Sequence, residues 1–171
     1  MKTNIWSSAA VNGMLLALIT IIFTLVLVSF PTSGTAAKIF IPLVKLIATV
    51  GTLYYFMKAF GQEQESYSYG QAFTYGFVVS FCSSIVIACY YFLHYTLIFP
   101  NAMDKELEAA QPYLAQFNVD PAAFDLIVGK FPVIISVSSI IGFTLYGLIF
   151  SAILASFAKK AEQPFANETE M

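Results

Sequence analysis

Two side chains in this sequence carry or can acquire a charge where the chain is most apolar: Lys45 in "IFIPLVKLIATVG" and His94 in "CYYFLHYTLIF". A charge within an apolar run is a functional hypothesis by default, because it is costly in a bilayer and persists where it meets a cavity, a pathway or a partner. Lys45 also has a bland reading. It stands seven residues beyond Lys38, about 10 Å along a helix, and a lysine stem reaches most of that way to the headgroups. His94 is the single histidine, and one histidine cannot build a tetrahedral metal site without other ligands. No HExxH, CxxC or His/Cys cluster accompanies it, so neither a metal nor a cofactor is expected. The flanking tyrosines offer hydroxyl partners for an interhelical hydrogen bond. A proton relay or pH sensor is the sharper reading, and it needs an acidic or tyrosyl partner. Lys45, Tyr91 and His94 are the candidate residues of a polar cavity near one face of the membrane.

Acyl-transfer chemistry finds little support. The serines fall in apolar runs, "SFCSSIV" and "ISVSSIIG", with no GxSxG elbow and no carboxylate to orient His94. No nucleophile, base and orienter can be named together, which predicts a non-enzymatic protein.

These residues belong to a chain of 171 residues with 58% hydrophobic and 11% charged residues and a mean hydropathy of +0.76. Soluble domains carry about 25% charged residues; this is the composition of a membrane protein. The basic residues are eight lysines, spread thinly, with no arginine, so nothing resembles a phosphate-neutralising patch and nucleic acid is not an expected partner. Cys82 and Cys89 are seven residues apart, about 10 Å on a helix, beyond disulfide reach. They read as small buried apolar residues.

A bilayer core takes about 20 apolar residues in helical form. Four segments qualify, at about 9–30, 39–60, 69–99 and 131–157. The expectation is an all-α, single-domain integral membrane bundle of four transmembrane helices. The first segment is longer than the ~7–15 apolar residues of a secretory signal and reads as a retained span. A turn-prone linker, "PTSGTAA", follows it, and Gly61 closes the second span. Ser68 with Gln71 forms a capping box that starts the third. At 31 residues the third span is about 46 Å long, more than the ~30 Å hydrocarbon core, and must tilt, bend or protrude. Four spans put both termini on one side. Lys2, Lys58, Lys159 and Lys160 against Lys38, Lys105 and Lys130 give a slight bias toward cytoplasmic termini.

Residues 100–130 form a short amphipathic helical connection outside the bilayer. Met103, Leu107, Ala110, Leu114 and Phe117 make one apolar stripe, Asn101 suits the N-cap, and Pro112 is expected to kink or divide the helix. A second short helix follows, with Asp120 as cap, Pro121 first, and Phe124, Ile127 and Val128 on its apolar side. Both helices lie on the membrane surface or cap their own bundle; a docking face for a partner helix is the functional alternative. The polar tail, 159–171, is read as disordered.

Small residues set a pattern. Ala72, Gly76, Ser80, Ser84 and Ala88 recur at steps of four, the spacing that lets membrane helices approach backbone to backbone. Ser138 and Gly142, then Gly147, Ser151 and Ala155, repeat it in the fourth span, and Ala9, Gly13 and Ala17 in the first. Such ladders serve one compact bundle or an oligomer.

The stretch "SYGQAFTYGF", continuing through "YYFLHYTLIFPNAMDKELEA", resembles the bacterial membrane proteins of the domain of unknown function 4199 family. The likeness rests on Ser68, Gly70, Ala72, Phe73 and Gly76, then on Tyr90, Tyr91, Phe99, Pro100 and the Met103-Asp104-Lys105 run, and extends to chain length and segment count. The acidic connection "GQEQESY" departs from it. The resemblance implies a four-helix multi-pass protein of the bacterial inner membrane and supplies no activity. Two functions are open. One is a subunit that acts by helix packing, with itself or with a membrane-protein partner, among membrane lipids. The other is a small transporter or lipid-handling protein using the cavity assigned to Lys45, Tyr91 and His94.

Overall fold

The computed structural model describes residues 4–29, 35–116 and 121–160. Among these are five α-helices: α1 (Ile5–Ser29), α2 (Thr35–Gln62), α3 (Tyr69–Leu93), α4 (Pro100–Gln116) and α5 (Pro121–Ala158). Four of them are long and apolar enough to cross a membrane, over Ile5–Leu27, Ile39–Gln62, Tyr69–Ile98 and Leu126–Ala158. This is the expected all-α bundle. Asp120, Phe117, linker residues 31–34 and tail residues 161–171 lie outside the described residues, as do the side chains of Ala110, Leu114 and Phe124.

Several boundaries differ from expectation, each for a local reason. The linker is shorter, because Thr35 to Ala37 already belong to α2. Gly61 does not end that helix. It is buried, and the ring of Tyr67 occupies the space a Cβ would need. The capping box is present as read: the Gln71 N–H donates to Ser68 Oγ at 3.4 Å and the Ser68 N–H to Gln71 Oε1 at 2.9 Å. The long third span ends in a π-helical turn, His94–Ile98. Pro100 cannot continue the helix and pushes Phe99 out of helical backbone, to φ −138° and ψ 67°. The Phe99 N–H then reaches back five residues to the His94 carbonyl at 2.8 Å.

That turn also relocates the start of α4. Pro100 is its first residue, so Phe99, not Asn101, is the cap. Pro112 does not divide α4, which runs through it. The expected second connecting helix is not separate either. From Pro121 onward α5 is continuous for 38 residues, through Gly129 and Pro132, because the apolar run from Leu126 to Val128 leads directly into the span. Lys159 and Lys160, assigned to the disordered tail, are seated: the Lys160 N–H donates to the Tyr67 carbonyl at 2.9 Å.

Helix α3 is the axis of the bundle. It packs most extensively on α5 and then on α1, with α2 against α1, α3 and α5. The ladder explains the α5 contact. Ala72, Gly76, Ser80, Ser84 and Ala88 are all buried. A Cβ on Gly76 would lie 2.7 Å from Ser151 Oγ, and one on Gly147 would collide with Ser80. Ser84 Oγ lies 3.1 Å from Thr144 Oγ1. On the other side, Gly13 brings α1 so close that a Cβ there would lie 2.7 Å from the Val79 carbonyl and from Cys82 Cβ, while Ala9 and Ala17 are buried. Apolar burial cannot drive this association in lipid; close van der Waals contact between backbones does.

Ser138 and Gly142 take no part in that packing. Both are exposed, and nothing lies within 4 Å of a Cβ placed on Gly142. The cysteines also depart from their reading. Both are free thiols, as the spacing required, but Cys89 is exposed and Cys82 half-buried.

Candidate functional site

The four spans do not close completely. A cavity of about 170 Å³ lies among Leu16 and Thr20 of α1, Pro42, Lys45, Leu46, Thr49 and Leu53 of α2, Ser80, Ser83 and Ile87 of α3, and Phe143 and Tyr146 of α5. Its walls are mostly apolar, and among the described residues Lys45 is the single charged one in them. Lys45 is half-buried near the start of its span, where a lysine costs less than the ~2.5–3.5 kcal/mol of the span centre on insertion scales, and no Asp or Glu lies in any of the four spans to offset it. The hydroxyls of Thr20, Thr49, Ser80, Ser83 and Tyr146 contribute dipoles around it. Thr49 is held in place by its own helix, donating to the Lys45 carbonyl at 2.9 Å. Its hydroxyl also lies 3.2 Å from that of Tyr146, linking α2 to α5 across the cavity wall.

Of the three residues expected to share a cavity, the structure places only Lys45 there. His94 lies farther along the same face of α3. The antiparallel register, with Met57 of α2 against Gly76 of α3, sets Lys45 level with about Ala88, some 9 Å from His94 along the helix. His94 is 2% exposed and enclosed by aromatic rings, with centroids of Tyr95 at 5.0 Å, Phe99 at 5.1 Å and Tyr90 at 5.4 Å. Its hydrogen-bond partner is Tyr90, whose hydroxyl is 2.9 Å from Nδ1. Tyr91 is half-buried and stacks on Tyr95 at 6.3 Å. The box is closed by Phe131 of α5, edge-on to Tyr95 at 5.5 Å, and by α4, which packs on the π turn with Leu107 buried. Part of the connection therefore caps its own bundle, and His94 is a bonded histidine in a closed aromatic pocket.

Sequence reasoning passed over Thr20, Thr49, Ser83 and Tyr146. Each stands in an apolar run without any motif around it, and only their convergence from four helices marks them. Among the described residues no group of three or more His, Cys, Asp or Glu side chains is placed to hold a metal ion.

The opposite end of the bundle carries the start of α1 and the end of α5. Tyr75, fully buried, stacks on Phe60 at 4.0 Å with rings 8° from parallel. Its hydroxyl accepts from Asn12 Nδ2 at 2.6 Å and lies 2.9 Å from Ser8 Oγ.

Neither the curated proteins nor the solved structures contain a match to this chain. Residues 12–160 match the family described as "Protein of unknown function (DUF4199)". The match covers the first membrane helix from residue 12 and the other three whole, with the Lys45 cavity and the His94 pocket, and on it the chain belongs to the domain of unknown function 4199 family.

Proposed function

We propose that this membrane protein is a non-enzymatic binding protein that holds a ligand in the cavity between its four helices, with Lys45 selecting it. The observation that carries the reading is the lone lysine in the wall of an otherwise apolar, hydroxyl-dotted cavity, in spans that contain no carboxylate. A ligand bound only by the folded state raises its stability with concentration. Thermal unfolding of the purified protein against a panel of lipids and small anions is therefore expected to show saturable stabilisation by at least one compound. Ser83→Phe, which fills the cavity, is expected to abolish it. No saturable shift with any compound, or shifts that persist in Ser83→Phe, would remove the reading.

A second reading, a subunit acting by helix packing with its own copy or a membrane-protein partner, is favoured by one observation. The ladder of α3 is used within the chain, but the Ser138 and Gly142 surface of α5 remains open. Replacement of Gly142 by isoleucine is expected to weaken crosslinking of α5 to a neighbour in native membranes. Unchanged crosslinking would exclude that surface as an interface. In either case residence in a bacterial inner membrane with cytoplasmic termini is part of the proposal, supported by Lys58, Lys159 and Lys160 at the end of the bundle that carries both termini. Labelling of cysteines introduced at Asn4 and at Gly129 with an impermeant reagent, in a Cys82→Ala/Cys89→Ala background, is expected to mark only position 129 from outside.

A further inference from the structure

We propose that the ligand is an anionic amphiphile: its carboxylate or phosphate head meets Lys45, and its acyl chain leaves between α2 and α5 to lie along the outer surface of α5. The inference rests on the reading of the cavity as a binding site and adds the chemical class of its occupant.

Size is the first reason. Sites that enclose a whole small molecule are about 300–1,000 Å³, and this cavity is about 170 Å³. It holds one end of a molecule, and the remainder must lie outside. The second reason is continuity. Phe143 and Tyr146 line the cavity on one side and, on the other, a shallower groove of about 360 Å³ formed with Ile135, Ser138, Ser139 and Gly142. The two spaces share a wall. Its polar contact, Thr49 with Tyr146 at 3.2 Å, joins two hydroxyls whose separation leaves no charge unpaired. Gly142, with nothing within 4 Å of a would-be Cβ, keeps the groove deep enough for a chain. The third reason is charge. Among the described residues the cavity offers one cation, hydroxyl dipoles and no carboxylate. An anion in a low-dielectric site gains far more from such a cation than it does in water, whereas a zwitterionic head brings its own cation to face Lys45. A freely soluble anion would satisfy Lys45 and leave the groove without an occupant.

The test is native mass spectrometry of the full chain released from detergent, with palmitate, hexadecyl phosphate, hexadecylphosphocholine and inorganic phosphate as probes. Palmitate, hexadecyl phosphate or both are expected to bind one-to-one and about tenfold more tightly than hexadecylphosphocholine, and which of them binds identifies the head. Lys45→Met and Lys45→Gln are both expected to erase that preference, and Lys45→Arg to retain it. Gly142→Phe is expected to weaken the anionic chain severalfold, with the unfolding temperature of the free protein unchanged. Equal binding of anionic and zwitterionic chains, lost in Ser83→Phe, would overturn the anionic assignment and leave the cavity as a site. Binding of inorganic phosphate alone, dependent on Lys45, would overturn the amphiphile. Absence of saturable binding by every probe would overturn both this inference and the reading beneath it.

Discussion

At the end of the bundle that carries the termini, α1, α2 and α3 are tied by Tyr75, whose hydroxyl meets Ser8 and Asn12 while its ring lies flat on Phe60. At the far end, the buried His94 bonds to Tyr90 on its own helix and is surrounded by the rings of Tyr95 and Phe99, with Phe131 of α5 against Tyr95. The first end crosslinks helices; the second caps one helix locally and covers it with a turn and a short helix. The Lys45 cavity lies between them, lined by residues of all four spans. Close packing and an opening thus coexist in one bundle: the glycines at which a Cβ would clash with a neighbouring span, Gly13, Gly76 and Gly147, lie in the half toward the termini, and Lys45 lies in the other.

That contrast is broken most severely at the glycine contacts. Gly147→Ala places a methyl group against Ser80, backbone side inward, where neither helix can yield without parting. A loss of about 1–3 kcal/mol is expected, the usual cost of overpacking. Gly142→Ala, five residues away on the same helix, meets nothing and is expected to be neutral or stabilising by less than about 1 kcal/mol, from helix propensity alone. Unfolding by denaturing detergent measures both. Equal effects would show that the α3–α5 contact is looser than the close approach implies.

The same pair of glycines shows what the sequence could and could not reveal. The ladder from Ala72 to Ala88 was legible because a step of four keeps small residues on one side of a helix, and that periodicity is local. On α5 the small residues form two stripes. Gly142 and Gly147 are five residues apart, about 140° round the helix, so only one stripe can face α3, and spacing alone does not say which. The cavity was illegible for a related reason. Lys45 and His94 were both readable as polar residues toward one bilayer face, but whether they meet depends on the register of α2 against α3, set by Met57 against Gly76. The π turn depended on a longer-range fact, that the chain must turn at Phe99 and Pro100 to bring α4 back over His94.

A smaller effect separates the two polar anchors. Tyr75→Phe removes a hydroxyl shared with Ser8 and Asn12 on another helix and leaves Asn12 without that acceptor. Interhelical hydrogen bonds in membrane proteins average about 0.6 kcal/mol and reach about 1.7; a loss near the upper figure is expected. Tyr90→Phe removes a bond within one helix and is expected to cost less than half as much in global stability, while freeing the His94 ring to change orientation. The ring resonances of His94 by NMR report the second effect, and detergent unfolding the first. If Tyr90→Phe costs as much as Tyr75→Phe, the far end is crosslinked as firmly as the near one.

The smallest effect lies at the well-packed end itself, in Tyr67. This residue is fully buried just before α3, edge-on to Phe60 with centroids 6.0 Å apart, and its hydroxyl has no hydrogen-bond partner among the described residues. An unpartnered buried hydroxyl has lost its water without compensation, so Tyr67→Phe is expected to leave stability at neutral pH unchanged or raise it by less than about 1 kcal/mol. Burial also pushes the phenol well above its ordinary range, because the tyrosinate would be stranded from water. The sign follows from linkage. The folded state resists ionisation of this phenol more than the unfolded chain does, so its contribution to stability is flat below a pH of about 10 and declines as pH rises past the unfolded value. Tyr67→Phe removes that share of the decline, and the difference in unfolding temperature between variant and parent is expected to widen from pH 9 to pH 11. A gap that stays constant across that interval would mean the phenol reaches water in the folded protein, and a loss at neutral pH as large as that of Tyr75→Phe would mean its hydroxyl is paired, making this end more polar than its packing implies.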